Sequence, residues 1–235
     1  LRCRSLPDNA LLERVNGDYF ERLFRINRTL GFVRVQAGKN CLRVRVAPDS
    51  HCIVTEVKTR VRKMFDLDCD PGLITAAFAR VPLLARLCAS FPGLRLPRGW
   101  DPFETAICTI LGPLVSAGHR GMLIGQLVQN YGEEIVNPFA GKKARLFPTP
   151  EVLADAELSA VKTTQARREA IRDLSRRVLK GAVSLADHQE PAVLRKALLD
   201  TKGIGAWSAE YIILRAIGDT DAFPRTDLID RKSVV

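Results

Sequence analysis

The stretch from residue 198 to 227, LLDTKGIGAWSAEYIILRAIGDTDAFPRTD, constrains the fold of this chain more than any other. Gly203 and Gly205 bracket Ile204, and two glycines so close permit backbone torsions, and a close approach of another molecule, that a β-carbon would block. Apolar residues then recur at helical spacing. Amides at the start of such a helix favour an anion. The pattern predicts a helix, a tight hairpin that binds an anion, a second helix and a loop that ends at Asp227.

The charge of the chain agrees with an anionic partner. Its formal net charge is +10 and its pI about 9.6, as in many proteins that bind nucleic acid. A length of 235 residues with 46% hydrophobic and 26% charged residues is typical of a soluble globular protein with a full core. We expect no signal peptide and no membrane partner. The six cysteines form no C-x-x-C pair, which argues against zinc and iron–sulfur sites and favours free thiols.

The first part of the chain predicts a small sheet covered by a helix. Apolar spacing favours a short helix at 11–15, and two alternating stretches over 31–46 predict a β-hairpin. Arg43 and Arg45 alternate with valines in the second stretch, so we expect them on the solvent face. Residues 51–66 have the spacing of an amphipathic helix, which would cover the sheet.

A linker rich in proline and glycine, residues 91–104, separates this region from a helical one. Asp101 is a suitable N-cap for the next helix, with Glu104 at the third helical position as in a capping box. We therefore predict an α+β chain with two domains: a small antiparallel-sheet α/β domain over 1–92 and a mostly α-helical domain over 93–235.

A break in a helix at residues 112–113 and a basic helix over 165–180 can each be interpreted in two ways. Gly112 and Pro113 interrupt a helix, because proline lacks an amide donor, and the Leu114 that follows would on its own be taken for a core leucine. A second amphipathic helix over 165–180 has a basic polar face, for which solvation is favoured over DNA contact. That face carries Arg167, Arg168, Arg172, Arg176, Arg177 and Lys180.

The string L-x-x-x-K-G-I-G-A-W-S-A-E-Y, followed by D-A-F-P-x-x-D-L, resembles the helix–hairpin–helix DNA glycosylase superfamily. Within it, G-I-G-x-W-[ST]-A-x-Y is most similar to the 3-methyladenine DNA glycosylase II type, which acts on alkylated bases. The resemblance implies a repair enzyme that flips a damaged base out of double-stranded DNA and hydrolyses its N-glycosidic bond.

The resemblance also assigns roles to single residues. Asp227 stands where the family has its catalytic aspartate, whose carboxylate stabilises an oxocarbenium-like sugar. Trp207 and Tyr211 would form the base pocket, where a flat indole stacks on an electron-poor base. Trp207 replaces the lysine of relatives with a lyase activity, and an indole is no nucleophile, so a lyase step is not expected. Without the resemblance, Asp227 would be read as a helix N-cap and Trp207 as a core residue.

The hairpin and the broken helix supply the DNA contacts that the resemblance implies. Leu114 occupies the position of the family's apolar wedge, which enters the duplex where the base has left; Pro113 replaces a glutamine that is usual there. Gly203, Gly205 and Lys202 would bind phosphate, Lys202 replacing the usual proline. No cofactor is required, but the family often holds a sodium or potassium ion through hairpin carbonyls. The matching carbonyls belong to Leu199, Thr201 and Ile204.

The resemblance runs from about residue 30 onward and leaves two alternatives. One is a glycosylase for oxidised or mismatched bases. Trp207 at the lysine position and the lack of an iron–sulfur cluster argue against it. The other is a helix–hairpin–helix module that binds DNA without catalysis. We expect a monomer located, by resemblance, in the bacterial cytoplasm with the nucleoid. Because the family's fold continues for several helices beyond the aspartate, we expect this chain to be a fragment truncated at its carboxyl end.

Overall fold

The computed structural model describes residues 12–16, 19–137, 141–186 and 188–225, and its first part is an antiparallel sheet. Four strands lie side by side in chain order: β1 (Glu13–Asn16), β2 (Tyr19–Ile26), β3 (Thr29–Ala37) and β4 (Leu42–Ala47). Alternate residues of β2 and β3 point to one face, which buries Phe20, Phe24, Val33 and Val35. The predicted hairpin over 31–46 is confirmed as β3 and β4, with Arg43 and Arg45 exposed.

The short helix predicted at 11–15 is wrong, since Glu13–Asn16 forms β1 and Leu11 lies outside the described residues. Apolar spacing in so short a segment fits a strand as well as a helix. Pairing with β2 decides between them: Glu13 lies directly opposite Arg22, and its Oε2 accepts a hydrogen bond from Arg22 Nη1 at 2.7 Å.

Helix α1 (His51–Met64) covers the buried face of the sheet, as predicted. Ile53, Val57 and Val61 lie on one side of it and pack against the aromatic and branched residues of β2 and β3. Trp100, from the segment after residue 91, completes this core. Two helices follow α1 in the chain, α2 (Pro71–Phe78) and α3 (Pro82–Ser90), and neither of them has a buried residue.

Hydrogen bonds from the segment around Arg98 connect the sheet region to the helical region. The Arg98 amide donates to the Met64 carbonyl at 3.1 Å, and the Gly99 amide donates to the Arg215 carbonyl at 3.0 Å. The Arg98 guanidinium donates to the carbonyls of Ile217 at 2.8 Å and Gly218 at 3.3 Å. The domain boundary predicted between residues 92 and 93 stays a prediction.

The rest of the described chain is mainly helical, which confirms the α+β class. Its helices are α4 (Pro102–Leu111), α5 (Ala117–Tyr131), α6 (Pro150–Asp155), α7 (Gln165–Leu179), α8 (Pro191–Leu199) and α9 (Ala206–Ile212), and strands β5 (Glu134–Val136) and β6 (Lys143–Arg145) form a hairpin after α5. The predicted N-cap of α4 is confirmed, because Asp101 Oδ1 accepts from the Glu104 amide at 2.9 Å. Buried residues of α4, α5, α7, α8 and α9 share one core. Among the described helices, none combines the length and the apolar character that crossing a bilayer requires.

A buried ionic cluster joins the sheet to α4. The Arg22 guanidinium donates to Glu13 Oε2 at 2.7 Å and to Glu104 Oε1 at 3.0 Å, and also pairs with Glu104 Oε2. It lies 5.8 Å from the centre of the Trp100 ring. Burial disfavours the charged guanidinium, but the two carboxylates outweigh this and raise the pKa of Arg22. Burial likewise raises the pKa of Glu104, against the opposing influence of Arg22.

Candidate functional site

The hairpin predicted from the glycine pattern connects α8 to α9. Thr201 is buried at its centre, and its hydroxyl donates to the Ala197 carbonyl at 2.9 Å. The Ile204 amide donates to the Thr201 carbonyl at 3.1 Å, which closes the turn. Ile204 is buried and packs in the helical core, so the hairpin is anchored from beneath.

The two hairpin glycines differ in the space that a side chain would find. Gly203 has a positive φ of 82°, and a β-carbon there would lie 2.8 Å from the Ala170 side chain of α7. Gly203 therefore allows the hairpin to pack closely on α7. Gly205 is the N-cap of α9 with an ordinary φ of −90°, and, its chain neighbours aside, no atom of the described residues lies within 4 Å of a β-carbon built there. A bound molecule thus has room to approach the first amides of α9.

Lys202 is exposed on this hairpin and forms an ion pair. Its Nζ lies 2.6 Å from Glu169 Oε2, and its amide donates to Asp173 Oδ2 at 2.8 Å. The hydrogen bond with Glu169 raises the pKa of Lys202 and lowers the pKa of Glu169. Because water screens an exposed pair of this kind, it contributes little to stability, and a phosphate group would displace Glu169 from the ammonium at little cost.

The predicted monovalent-cation site consists of backbone carbonyls. The Thr201 carbonyl already accepts from the Ile204 amide, and a carbonyl oxygen has a second lone pair for another contact. The set of Leu199, Thr201 and Ile204 therefore stays a prediction. Within the described part of the chain, no group of three or more histidine, cysteine, aspartate or glutamate residues is arranged to hold a metal ion.

Trp207 and Tyr211 lie one turn apart on α9, and their rings stack. The ring centres are 5.0 Å apart and the ring planes differ by 15°. Both residues are half-buried, so Trp207 is not a fully buried core residue. A cleft of about 390 Å³ adjoins Trp207, whereas Tyr211 is not among its lining residues. The lining residues are Arg195, Ala206, Trp207, Glu210, Asp221, Phe223 and Arg225.

Glu210 is a residue of this cleft that the sequence did not single out. Its Oε1 accepts from Arg195 Nε of α8 at 2.5 Å, and its Oε2 accepts from the Phe223 amide at 3.2 Å. One carboxylate thus links α8, α9 and the loop that leads towards Asp227. Its position three residues after Trp207 places it on the same side of α9, a spacing visible in the sequence.

The predicted catalytic residue, Asp227, lies outside the described residues. The described loop ends at Arg225, whose amide donates to the Phe223 carbonyl at 2.9 Å. A π-helical turn, Ile213–Ile217, follows α9 and precedes this loop. The Gly218 amide donates to the Ile213 carbonyl at 3.0 Å, and Gly218 ends the turn with a φ of 79°. Such turns are frequent at functional sites.

Residues 112–116 connect α4 to α5 and project Leu114; we call this segment the wedge loop after the role predicted for Leu114. This side chain is 85% exposed and its φ is 59°, so the interpretation as a core leucine is wrong. The adjacent Pro113 carbonyl accepts a hydrogen bond from Arg167 Nη2 of α7. Arg167, expected on the solvent side of the helix, is half-buried, since its side chain reaches this carbonyl.

Helix α7 supports both the wedge loop and the hairpin. Its Arg167 contacts the wedge loop, its Glu169 pairs with Lys202, and its Ala170 packs beneath Gly203. These three contacts lie within the first two turns of one helix. The same helix therefore supports both the loop that exposes Leu114 and the hairpin.

Comparisons with known proteins agree with this architecture. The profile of the AlkA N-terminal domain matches residues 2–101. The DNA-3-methyladenine glycosylase 2 of Escherichia coli is 30% identical over 223 residues, which cover 93% of this chain and 76% of that protein. A Mycobacterium tuberculosis protein named probable bifunctional transcriptional activator/DNA repair enzyme AlkA is also 30% identical, over 92% of this chain but only 43% of that relative. The chain thus spans less than half the length of the mycobacterial relative.

Solved structures share the fold. A 3-methyladenine DNA glycosylase from Archaeoglobus fulgidus superposes with a TM-score of 0.82 at 20% identity, covering 98% of this chain and 79% of that one. The Clostridium acetobutylicum 8-oxoguanine glycosylase/lyase in complex with DNA gives a TM-score of 0.72 at 21% identity, over 96% of this chain and 75% of that one. With the fold shared and the E. coli relative matched over most of both sequences, this chain belongs to the DNA-3-methyladenine glycosylase 2 family.

Proposed function

We propose that this chain carries the DNA-binding surface and the base pocket of a DNA glycosylase that removes alkylated bases. The observation that supports this most is the cleft beside Trp207, on the helix that follows the hairpin. Its volume of about 390 Å³ lies within the range usual for small-ligand sites. It therefore suits a single nucleobase flipped out of the duplex.

The cleft chemistry favours an electron-poor base. An alkylated purine carries a positive charge, and the indole of Trp207 attracts such a ring through a cation–π contact. Tyr211 stacks on Trp207 and holds the indole in place. Selection of a cationic base by an aromatic ring is the property that distinguishes this proposal from a site for oxidised bases.

In the proposed reaction, Asp227 stabilises the sugar as the glycosidic bond breaks. The bonding electrons leave with the base, which neutralises its positive charge, and the sugar becomes oxocarbenium-like. A carboxylate beside the ring stabilises this charge. Water then adds to the anomeric carbon and loses a proton, which Asp227 accepts. No cofactor takes part; a monovalent cation at the hairpin carbonyls would serve DNA binding.

We further propose that the enzyme is monofunctional. A lyase step needs a neutral amine as nucleophile, and residue 207 is a tryptophan. Lys202 is the amine of the hairpin, but its hydrogen bond with Glu169 raises its pKa and keeps it protonated. Hydrolysis by water is therefore the step that these residues favour.

Double-stranded DNA is the proposed partner, bound through the hairpin and opened by Leu114. The start of α9 beyond Gly205 receives a phosphate, and Lys202 supplies a positive charge. Leu114 enters the space that the flipped base leaves, as apolar side chains do in other DNA-deforming proteins. Binding of this kind weakens steeply as salt is added.

The proposal is tested by base release from methylated duplex DNA. Asp227→Asn is expected to reduce release on the order of 100-fold or more, the usual effect of losing a charge stabiliser, while DNA affinity changes little. Asp219→Asn is the matched control, because Asp219 is a carboxylate of the same segment and is not among the residues that line the cleft. Equal release by the wild type and Asp227→Asn would refute the role of Asp227. DNA binding without any release by the wild type would instead favour the non-catalytic module.

A further inference from the structure

We propose that Arg167 is a positioning residue for the wedge loop, acting through the Pro113 carbonyl to keep Leu114 projected towards DNA. The inference rests on the proposed function, because projection of Leu114 matters only where the side chain enters a duplex. It assigns a purpose to an arginine that sequence patterning places among solvated residues.

The conformation of Leu114 is unfavourable on its own. Its φ of 59° lies in the left-handed region, which a residue with a β-carbon rarely adopts. Its side chain is 85% exposed, so burial of apolar surface does not compensate. A strained residue of this kind persists where the surrounding structure holds it. Contacts elsewhere in the loop must therefore maintain it.

The contacts of the wedge loop identify Arg167 as the support nearest to Leu114. At the start of the loop, the Gly112 amide donates to the Thr109 carbonyl at 3.2 Å. At its end, Ser116 Oγ accepts from the His119 amide at 3.2 Å. Pro113 has no amide hydrogen, so its carbonyl is the backbone group available for a hydrogen bond. Arg167 Nη2 donates to that carbonyl, one peptide unit before Leu114.

Arg167 is itself held on a rigid support. Its amide donates to Thr164 Oγ1 at 3.4 Å in the N-cap of α7. The next residues of α7 towards the core, Ala170 and Ile171, are buried. Since Ala170 packs beneath Gly203, the same helix turn fixes the hairpin. Arg167 thus sets the position of the wedge loop relative to the phosphate-binding hairpin.

The test compares Arg167→Ala with Arg168→Ala. Arg168 is the matched control, because it is the adjacent arginine and donates to a carbonyl outside the wedge loop, that of Thr163, at 2.9 Å. Binding is measured to a duplex with an abasic-site analogue and to the intact duplex. Arg167→Ala is expected to lower the preference for the abasic duplex roughly tenfold, equivalent to about 1.4 kcal/mol, and Arg168→Ala to leave it unchanged. Arg167→Lys, which keeps the charge and one donor, should restore part of the preference.

A double-mutant cycle separates positioning from direct DNA contact. If Arg167 acts through Leu114, Arg167→Ala adds no further loss in a Leu114→Ala background. Additive losses would mean that Arg167 contacts DNA in its own right, and would overturn the inference. A loss of thermal stability in Arg167→Ala with the abasic preference intact would also overturn it.

Hydrogen exchange of the free protein gives a result that does not depend on DNA. The amides of Gly112, His119 and Arg120, which donate hydrogen bonds at the two ends of the wedge loop, should exchange faster in Arg167→Ala than in the wild type or in Arg168→Ala. Unchanged exchange would overturn the positioning role. Faster exchange together with an unaffected abasic preference in Leu114→Ala would refute the wedge in the proposed function, while the Arg167 contact would stand.

Discussion

Replacing Arg22 with methionine should destabilise this protein more than any change at an exposed ion pair. The Arg22 side chain is 4% exposed, between the carboxylates of Glu13 and Glu104 at 2% and 9%. Methionine retains most of the aliphatic part of the arginine side chain, but it leaves two buried carboxylates without their counter-charge. Breaking a buried pair in this way costs about 3–5 kcal/mol. For a chain of this size, that corresponds to a fall in Tm of about 6–20 °C.

The loss of stability in Arg22→Met should become smaller as the pH falls. Burial raises the pKa of Glu104 above its ordinary value of 4.5, and Arg22 opposes that rise. Without Arg22 the pKa of Glu104 in the folded variant rises further. A group whose folded pKa is raised stabilises the folded state fully below its unfolded pKa and loses this contribution as the pH rises through the folded pKa. The variant should therefore regain stability, relative to the wild type, as the pH falls from the alkaline side towards the ordinary pKa of 4.5.

Thermal unfolding followed by circular dichroism at pH 8 and pH 5 measures both effects. Arg25→Met is the matched control, since Arg25 lies on the same strand and pairs with Glu133 where the side chains are 38% and 55% exposed. It should cost less than about 1 kcal/mol. Similar melting temperatures for the two variants at pH 8 would refute the reasoning. A larger loss for Arg22→Met at pH 5 than at pH 8 would refute its electrostatic part.

Two other predictions concern the hairpin and its attachment. Gly203→Ala should destabilise the fold by about 1–2 kcal/mol or more, because Gly203 has a positive φ and lies close to α7. Gly205→Ala should cost only about 0.5 kcal/mol of stability but should weaken DNA binding. Thermal unfolding and a DNA titration measure these changes, and equal melting temperatures for the two variants would contradict the prediction. Arg98→Ala should cost about 2 kcal/mol and reduce base release, because it frees the Gly218 carbonyl before the loop that leads towards Asp227. Arg95→Ala, which loses bonds to carbonyls remote from that loop, should leave release unchanged.

Local patterns in the sequence were sufficient for the elements that form through neighbouring residues. The spacing of Ile53, Val57 and Val61 predicts α1, and the alternation over 31–46 predicts the β-hairpin. Asp101 predicts the start of α4, because an N-cap acts on amides three residues away. In the hairpin, Gly203 has the positive φ that its residue type permits. Each of these inferences depends on interactions within one element or one turn.

The remaining features depend on residues far apart in the sequence. Strand β1 forms because Glu13 pairs across to Arg22, and Arg22 in turn reaches Glu104 in another region of the chain. Arg167 is separated by more than fifty positions from Pro113, so helical periodicity assigns it to the solvent side. Leu114 is apolar, and only the conformation of its loop exposes it. The pattern of polar and apolar residues indicates which side of a helix is buried, but it does not show that Arg167 bonds to the distant Pro113 carbonyl.

The π-helical turn Ile213–Ile217 makes the length of this segment as important as its composition. A π turn holds one residue more than an α-helical turn, which is what a single insertion into an α-helix leaves behind. Each residue of an α-helix advances the chain by 1.5 Å and rotates it by about 100°. Deleting one residue here would restore regular α-helical bonding but rotate Gly218 away from the Arg98 guanidinium. Single-residue deletions in this turn should therefore be tolerated less well than conservative substitutions at the same positions.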